Sequence, residues 1–416
     1  MFRLNLTKDE KRWVLYDVGN SAYTMLISTI LPIYFNGIAA GAGISEVDYL
    51  AYWGYAASAA TLAVAFLGPV MGTLADTKDF RKPLFMLTVL TGAVFCVGMI
   101  LPKHWLLFLV IYVISKIAYN ASLILYDAML VDVTTEEKMD VVSSHGYAWG
   151  YIGSCVPFVI SLVIVLMYDK IGISMTLAMG LAFFITAAWW VVMSLPLIRN
   201  YKQIHFVELP QKPVRSSFSR LGNTLKDMTK HKNIMFFLVA FFFFIDGVYT
   251  IISMATAYGS SLGLDSTGLL LALLVTQIVA FPCALIFSRF SKKYPTDILL
   301  KICIGAYTFI AFFAVQLDKQ WEFWMLAVMV GMFQGAIQAL SRSYFAKIIP
   351  AEKSGEYFGI YDICGKGASF MGTALVGGVA QLTGKQNAGV AAIAVMFILG
   401  FAVFSKAAKL NREVKK

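Results

Sequence analysis

Apolar residues run through this chain in stretches long enough to cross a bilayer, broken by short polar turns and by one long polar segment. A helix needs about 20 apolar residues to span a hydrocarbon core of roughly 30 Å. By that measure the pattern predicts twelve spans, near 13–36, 51–75, 84–101, 105–127, 145–167, 175–197, 234–258, 267–288, 298–317, 322–345, 356–382 and 386–406. The long interruption over 199–232 carries eight Lys and Arg and no sustained apolar period. Six spans precede it and six follow. The fold expected is an all-α membrane protein with twelve transmembrane helices in two pseudo-symmetric six-helix bundles. The bundles cover 1–198 and 234–416, with a short tail, and a basic linker over 199–233 joins them. Two such halves suit rocking about a central site better than a fixed pore.

Composition agrees with that class. Hydrophobic residues make up 59% of the 416 and charged ones 14%, against about a quarter charged in soluble domains. Mean hydropathy is +0.72. The net charge of +10 does not point to nucleic acid, because the basic residues sit in short loops between apolar spans. Of the 34 Lys and Arg, 28 fall on the side of the linker and four on the other. Retained loops are enriched in positive charge, so both termini and the linker are expected in the cytoplasm. Trp13, Trp53, Trp105, Tyr168 and Trp321 fall at span boundaries, as aromatic belts do. The first span follows MFRLNLTKDEKRW with no small-residue cleavage site, so a removed signal peptide is not expected. The compact length and short loops favour a bacterial plasma membrane. The expected partners are the bilayer and a small-molecule substrate, with the chain a monomer.

A charge at the bilayer centre costs about 2.5–3.5 kcal/mol on insertion scales, so polar residues inside spans mark cavities or partners. In the first span Asp17, Asn20, Ser21 and Thr24 share one helical face. Asp17 lies a turn from the cytoplasmic end and either reaches the headgroups or faces a cavity. In the fourth, Lys116 and Asn120 are four apart with Asp127 beyond them. Lys116 sits halfway along and is either a cavity residue or the partner of a buried carboxylate. Asp246 in the seventh lies near the midplane, followed by Gly247. A carboxylate there is neutral, paired or hydrated, and each state can be linked to proton movement. In the eleventh, Asp362 and Lys366 are spaced to pair, among Gly359, Gly365, Gly367 and Gly372. The tenth carries Gln334, Gln338, Ser341 and Arg342 along one stripe. The substrate cavity expected is Asn20, Ser21, Lys116, Asn120, Gln334, Gln338 and Lys366. Asp17, Asp246 and Asp362 are expected in proton coupling or buried ion pairs, and Asp127 and Arg342 in a cytoplasmic gate. The Phe241–Phe244 run is read as packing or lipid-facing surface.

The loop after the second span, GPVMGTLADTKDFRKP, resembles the signature loop of the major facilitator superfamily. That resemblance implies close helix packing at Gly72 and a charge latch at the gate from Asp76, Arg81 and Lys82. Thr77 departs from the pattern by standing where a basic residue is usual. WVLYDVGNSAY, VVSSHGYAWGYIGS, FFFFIDGVYTI, GAIQALSRSYFAKIIP and EYFGIYDICGKGASFMG resemble the branch that contains the autophagy-linked vacuolar amino-acid effluxer of fungi and its bacterial relatives. The resemblance implies alternating access to a central cavity lined by the first, fourth, seventh and tenth helices.

Deep lysines, acids and amides together make a cavity of mixed sign, which suits an amino acid or small organic anion. A lipid or lysolipid carrier of the same fold is the alternative. An intramembrane enzyme would need a nucleophile, base or metal set at membrane depth. The four His lie at span ends or in loops, and the five Cys lack metal-ligand spacing. There is no Walker-type loop, so the chain is not expected to be a nucleotide-driven pump. No catalytic residues, metal or cofactor are expected.

Overall fold

In the computed structural model the described residues are 6–414 apart from 103, 209–221, 225, 227, 229 and 262. They form twelve helices of 18 residues or more: α1 (Lys8–Gly41), α2 (Glu46–Ala75), α3 (Arg81–Gly98), α4 (Trp105–Ala128), α5 (Met139–Leu166), α6 (Met175–Asn200), α7 (Lys232–Ser261), α8 (Ser266–Phe290), α9 (Thr296–Val315), α10 (Gln320–Ile348), α11 (Ser354–Thr383) and α12 (Gln386–Val414). Eleven of them, all but α11, are long and apolar enough to cross a membrane. Among the described residues there is no strand, only an isolated bridge between Thr77 and Val207.

Local chemistry sets the helix ends. Thr7 and Glu10 cap α1 reciprocally, Thr7 Oγ1 accepting the Glu10 N–H at 3.2 Å and Glu10 Oε2 the Thr7 N–H at 2.7 Å. Ser45, Ser174 and Asp265 cap α2, α6 and α8 in the same side-chain manner. At Gly172 and Gly384 the chain turns with φ of +77° and +67°, a region that favours glycine.

Packing repeats with a period of six helices. α1 packs on α5 and α6, as α7 does on α11 and α12. The pairs α2–α4, α3–α4 and α3–α6 recur as α8–α10, α9–α10 and α9–α12. The halves meet through α2 on α11 and, in mirror fashion, α8 on α5.

Small residues allow these approaches. Gly146, Gly150 and Gly153 of α5 face α1 so closely that a Cβ on Gly150 would lie 2.8 Å from Ser21 Oγ and one on Gly153 2.5 Å from Val18. Hydrogen bonds tie α1 to α4: Trp13 Nε1 to the Tyr126 carbonyl at 3.0 Å, Tyr23 to Ser115 at 2.9 Å and Thr24 with Tyr119 at 2.7 Å.

The start of the linker is docked against the bundle. Gln203 Nε2 donates to the Ala75 carbonyl at 2.9 Å, and the Val207 N–H to the Asp76 carbonyl at 2.7 Å. The expected linker's middle, 209–221, lies outside the described residues.

Candidate functional site

A cavity of about 420 Å³ lies between the halves, walled by α1, α4, α5, α7, α8, α10 and α11. Its polar wall comes from Asn20, Ser21 and Thr24 on α1, Asn120 on α4, Gln277 on α8, and Gln334 and Gln338 on α10. Tyr119, Tyr147, Tyr151, Tyr249 and Tyr361 supply rings with hydroxyls, and Leu123, Ile245 and Ile252 the apolar remainder. Gln338 Nε2 reaches across the halves to the Tyr151 hydroxyl at 3.2 Å. Such a surface can hold a solute by several hydrogen bonds while stacking its apolar part on rings.

Arg342 closes the cavity toward the linker. Its guanidinium donates from Nη2 to Asp17 Oδ2 and from Nη1 to Asp127 Oδ1, both at 3.1 Å, and from Nε to Ser143 Oγ at 2.9 Å. Its carbon lies 4.6 Å from the Trp13 ring centroid, 5.4 Å from that of Tyr126 and 4.5 Å from that of Tyr147. A planar, weakly hydrated cation fits between ring faces in a way that an ammonium would not. Asn20 Nδ2 also donates to Asp17, at 3.1 Å. One cation from the C-terminal half is thus held by two acids of the N-terminal half. Gly146 makes room, because a Cβ there would lie 3.1 Å from Arg342 Nη2 and closer still to Asp17 Oδ2.

Further toward the linker lies a second, drier layer. Arg81 is fully buried and donates to Asp76 at 2.6 Å, Asp132 at 2.8 Å, Ser354 Oγ at 2.9 Å and the Ala128 carbonyl at 3.1 Å. Asp76 in turn accepts the Gly355 and Glu356 N–H groups at 2.7 and 2.9 Å, capping the start of α11 with a carboxylate. Burial pushes the Asp76 carboxyl up to about 6, against the pull of Arg81 and the two amides. Asp132 also holds the linker, through the Tyr201 hydroxyl, the His205 ring and the Ile204 and His205 N–H groups. Burial pushes the Tyr201 phenol well up. The mirror position carries Asp140 at the start of α5, bound to Ser343 and Lys347 of α10 and to Thr296, all at 2.6 Å. A separate cavity of about 550 Å³ opens at this end, lined by Asp132, His205, Glu136 and Lys347 among others.

The structure brings Asn20, Ser21, Asn120, Gln334 and Gln338 together on the cavity wall, with Asp17, Asp127, Asp362 and Arg342. Lys116 is elsewhere: its ammonium donates to the Tyr112 hydroxyl at 3.1 Å, one turn back on α4. Asp246 is buried off the wall. The Lys366 side chain lies outside the described residues. Asp76 and Arg81 form the buried layer just described, whereas Lys82 is half-buried and donates to the Arg199 carbonyl at 3.0 Å. Phe241, expected as packing or lipid-facing surface, instead lines the cavity and stacks on Tyr361 at 4.0 Å. Asp132, Asp140, Tyr119, Tyr147, Tyr151 and Tyr361 are further members that the sequence reading did not single out.

The family model described as "Vacuole effluxer Atg22 like" matches residues 7–413. An uncharacterized MFS-type transporter of Bacillus subtilis, YxiO, is 41% identical over 96% of this chain and 94% of its own. Autophagy-related protein 22-1 of Penicillium rubens is 26% identical over 62% of this chain and 47% of its own length. Among solved structures, the transporter FucP in its outward conformation matches with a TM-score of 0.71 at 14% identity, covering 96% of this chain and 97% of that one. The human organic anion transporter MFSD10 matches at 0.66 and 13% identity, covering 95% and 98%. These likenesses carry the fold, and the two-bundle helical membrane architecture expected from hydropathy is the one found. With a family model matching almost end to end and a near full-length relative at 41% identity, the chain belongs to the Atg22-like family of major facilitator superfamily transporters.

Proposed function

We propose that this transporter moves an amino acid or small organic anion across the bilayer by alternating access. The observation that carries the reading is the central cavity, whose wall combines amides, hydroxyls and ring faces with the Arg342–Asp17–Asp127 cluster at one end. Both a carboxylate and an ammonium find complementary groups there. The description of the matched family as vacuole effluxers and the name of MFSD10 as an organic anion transporter support that class. The bonds joining α1–α6 to α7–α12 cluster at the linker end, so we read this conformation as closed there and facing outward. In this reading the linker end faces the cytoplasm of a bacterium, the bundles are residues 1–198 and 234–416, and the working unit is a monomer without enzymatic activity.

The test is a thermal-shift screen of purified protein against amino acids, organic acids, sugars and lysolipids, with Gln338→Ala in parallel. A ligand at a hundredfold excess over Kd adds about 2.7 kcal/mol to apparent stability. Stabilisation by amino or organic acids that Gln338→Ala loses supports the reading. Stabilisation by lysolipids alone would instead favour a lipid carrier, for which the rings and aliphatic part of the wall would be the binding surface.

A further inference from the structure

Asp246 lies on α7 beside two cavity residues, Ile245 and Tyr249, yet is itself fully buried inside the C-terminal half. Its two oxygens are in unequal surroundings. Oδ1 accepts the Gly372 N–H at 3.0 Å and the Thr250 hydroxyl at 3.4 Å, while Oδ2 has no partner among the described residues. Among the described residues no charged group faces it. α11 presents the backbone of Gly372, where a Cβ would lie 2.5 Å from Oδ1, and α12 presents the Phe397 ring against neighbouring Gly247. The side chain of Lys366, earlier on α11, is outside the described residues.

Burying a lone carboxylate costs far more than leaving one hydroxyl unpaired. The neutral acid, with its proton on Oδ2, is therefore the lower in free energy here. The helix that contacts Asp246 is also the one whose first turn is capped by Asp76 at the linker end. Movement of α11 thus alters the surroundings of Asp246 and the gate together.

We infer that Asp246 is a proton-binding site of the linker-closed state, and that it releases its proton to water when α11 parts from α7. The inference rests on the alternating-access reading and adds its coupling ion. A site that holds its proton more tightly in one state draws the protein toward that state as pH falls.

Infrared difference spectroscopy of the reconstituted protein, wild type against Asp246→Asn at neutral pH, tests the assignment. The expected result is a protonated carboxylic-acid C=O band in the wild type that the variant lacks, and absence of that band would overturn the site. Asn keeps the acceptor for the Gly372 N–H. Should it fail to fold, the band is followed in wild type carrying 13C-aspartate, where Thr250→Val must shift it, and an unshifted band would count against Asp246. Coupling is read from spin labels at Glu137→Cys and Glu352→Cys, both exposed at the linker end. Raising the pH from about 6 to 9 should populate a longer distance in the otherwise wild-type protein but not with Asp246→Asn. Equal responses would overturn the coupling. Neither readout uses a cargo, so a failed solute screen leaves the inference standing.

Discussion

Gly72 and Gly355 meet backbone to backbone across the two halves: a Cβ on Gly355 would lie 2.5 Å from the Gly72 carbonyl oxygen, and one on Gly72 would overlap the Gly355 carbonyl. One turn further, a Cβ on Gly359 would lie 2.6 Å from Pro69 Cα. The segments are GPVMG and GEYFG, each with glycines four apart, and their faces let α2 and α11 approach as closely as backbones can. The polar latch of Asp76 and Arg81 is built at the end of this contact.

Gly72→Val should therefore force α2 and α11 apart at the linker end while leaving each half folded. Overpacking costs about 1–3 kcal/mol, enough to shift a two-state equilibrium roughly 5- to 150-fold. Spin-label distances across the linker end check this, with a gain in the longer distance expected.

Arg342→Gln should be among the most damaging substitutions in the chain. It leaves Asp17 and Asp127 facing one another without their cation and removes the bonds to Ser143. Breaking a buried pair by deleting one partner costs about 3–5 kcal/mol. Differential scanning fluorimetry should show a marked loss of stability, partly recovered by adding Asp127→Asn.

The Asp76 carboxyl, raised to about 6 by burial, makes a signed prediction. A group whose folded pKa lies above its unfolded value contributes stability that is present below about pH 4 and lost as pH rises through about 6. The stability of the wild type relative to Asp76→Asn should therefore fall across that window. A rise would show that Arg81 and the α11 amides outweigh burial.

Asp132→Asn should detach the start of the linker without disturbing the cavity, because Tyr201, Ile204 and His205 all converge on that carboxylate. Hydrogen exchange should speed at the Ile204, His205 and Val207 amides, with the amides of α1 and α10 unchanged.

Much of this was legible in the sequence where a helical period set polar residues against an apolar background. Asp17, Asn20, Ser21 and Thr24 stood out on α1 for that reason, and all four line the cavity. Tyr119, Tyr147, Tyr151 and Tyr361 did not, since a ring with one hydroxyl reads equally as packing, belt or wall until its neighbours are known. Lys116 misled because depth along a span says nothing about which way a long side chain turns, and it turns to Tyr112. Asp132 and Asp140 flank a loop crowded with charge, where nothing local signals that one binds Arg81 and the other α10. The docking of 203–207 is likewise a product of tertiary contact, invisible in a segment read as polar linker.

The central claim is that the cavity between the halves carries a small polar solute. Uptake of radiolabelled amino acids and small carboxylates into proteoliposomes, comparing wild type with Asn20→Ala and Gln338→Ala, tests it most directly. Saturable uptake of at least one such solute is expected, reduced about tenfold or more by either variant. Uptake that both variants leave unchanged, or flux of lysolipids alone, would contradict it.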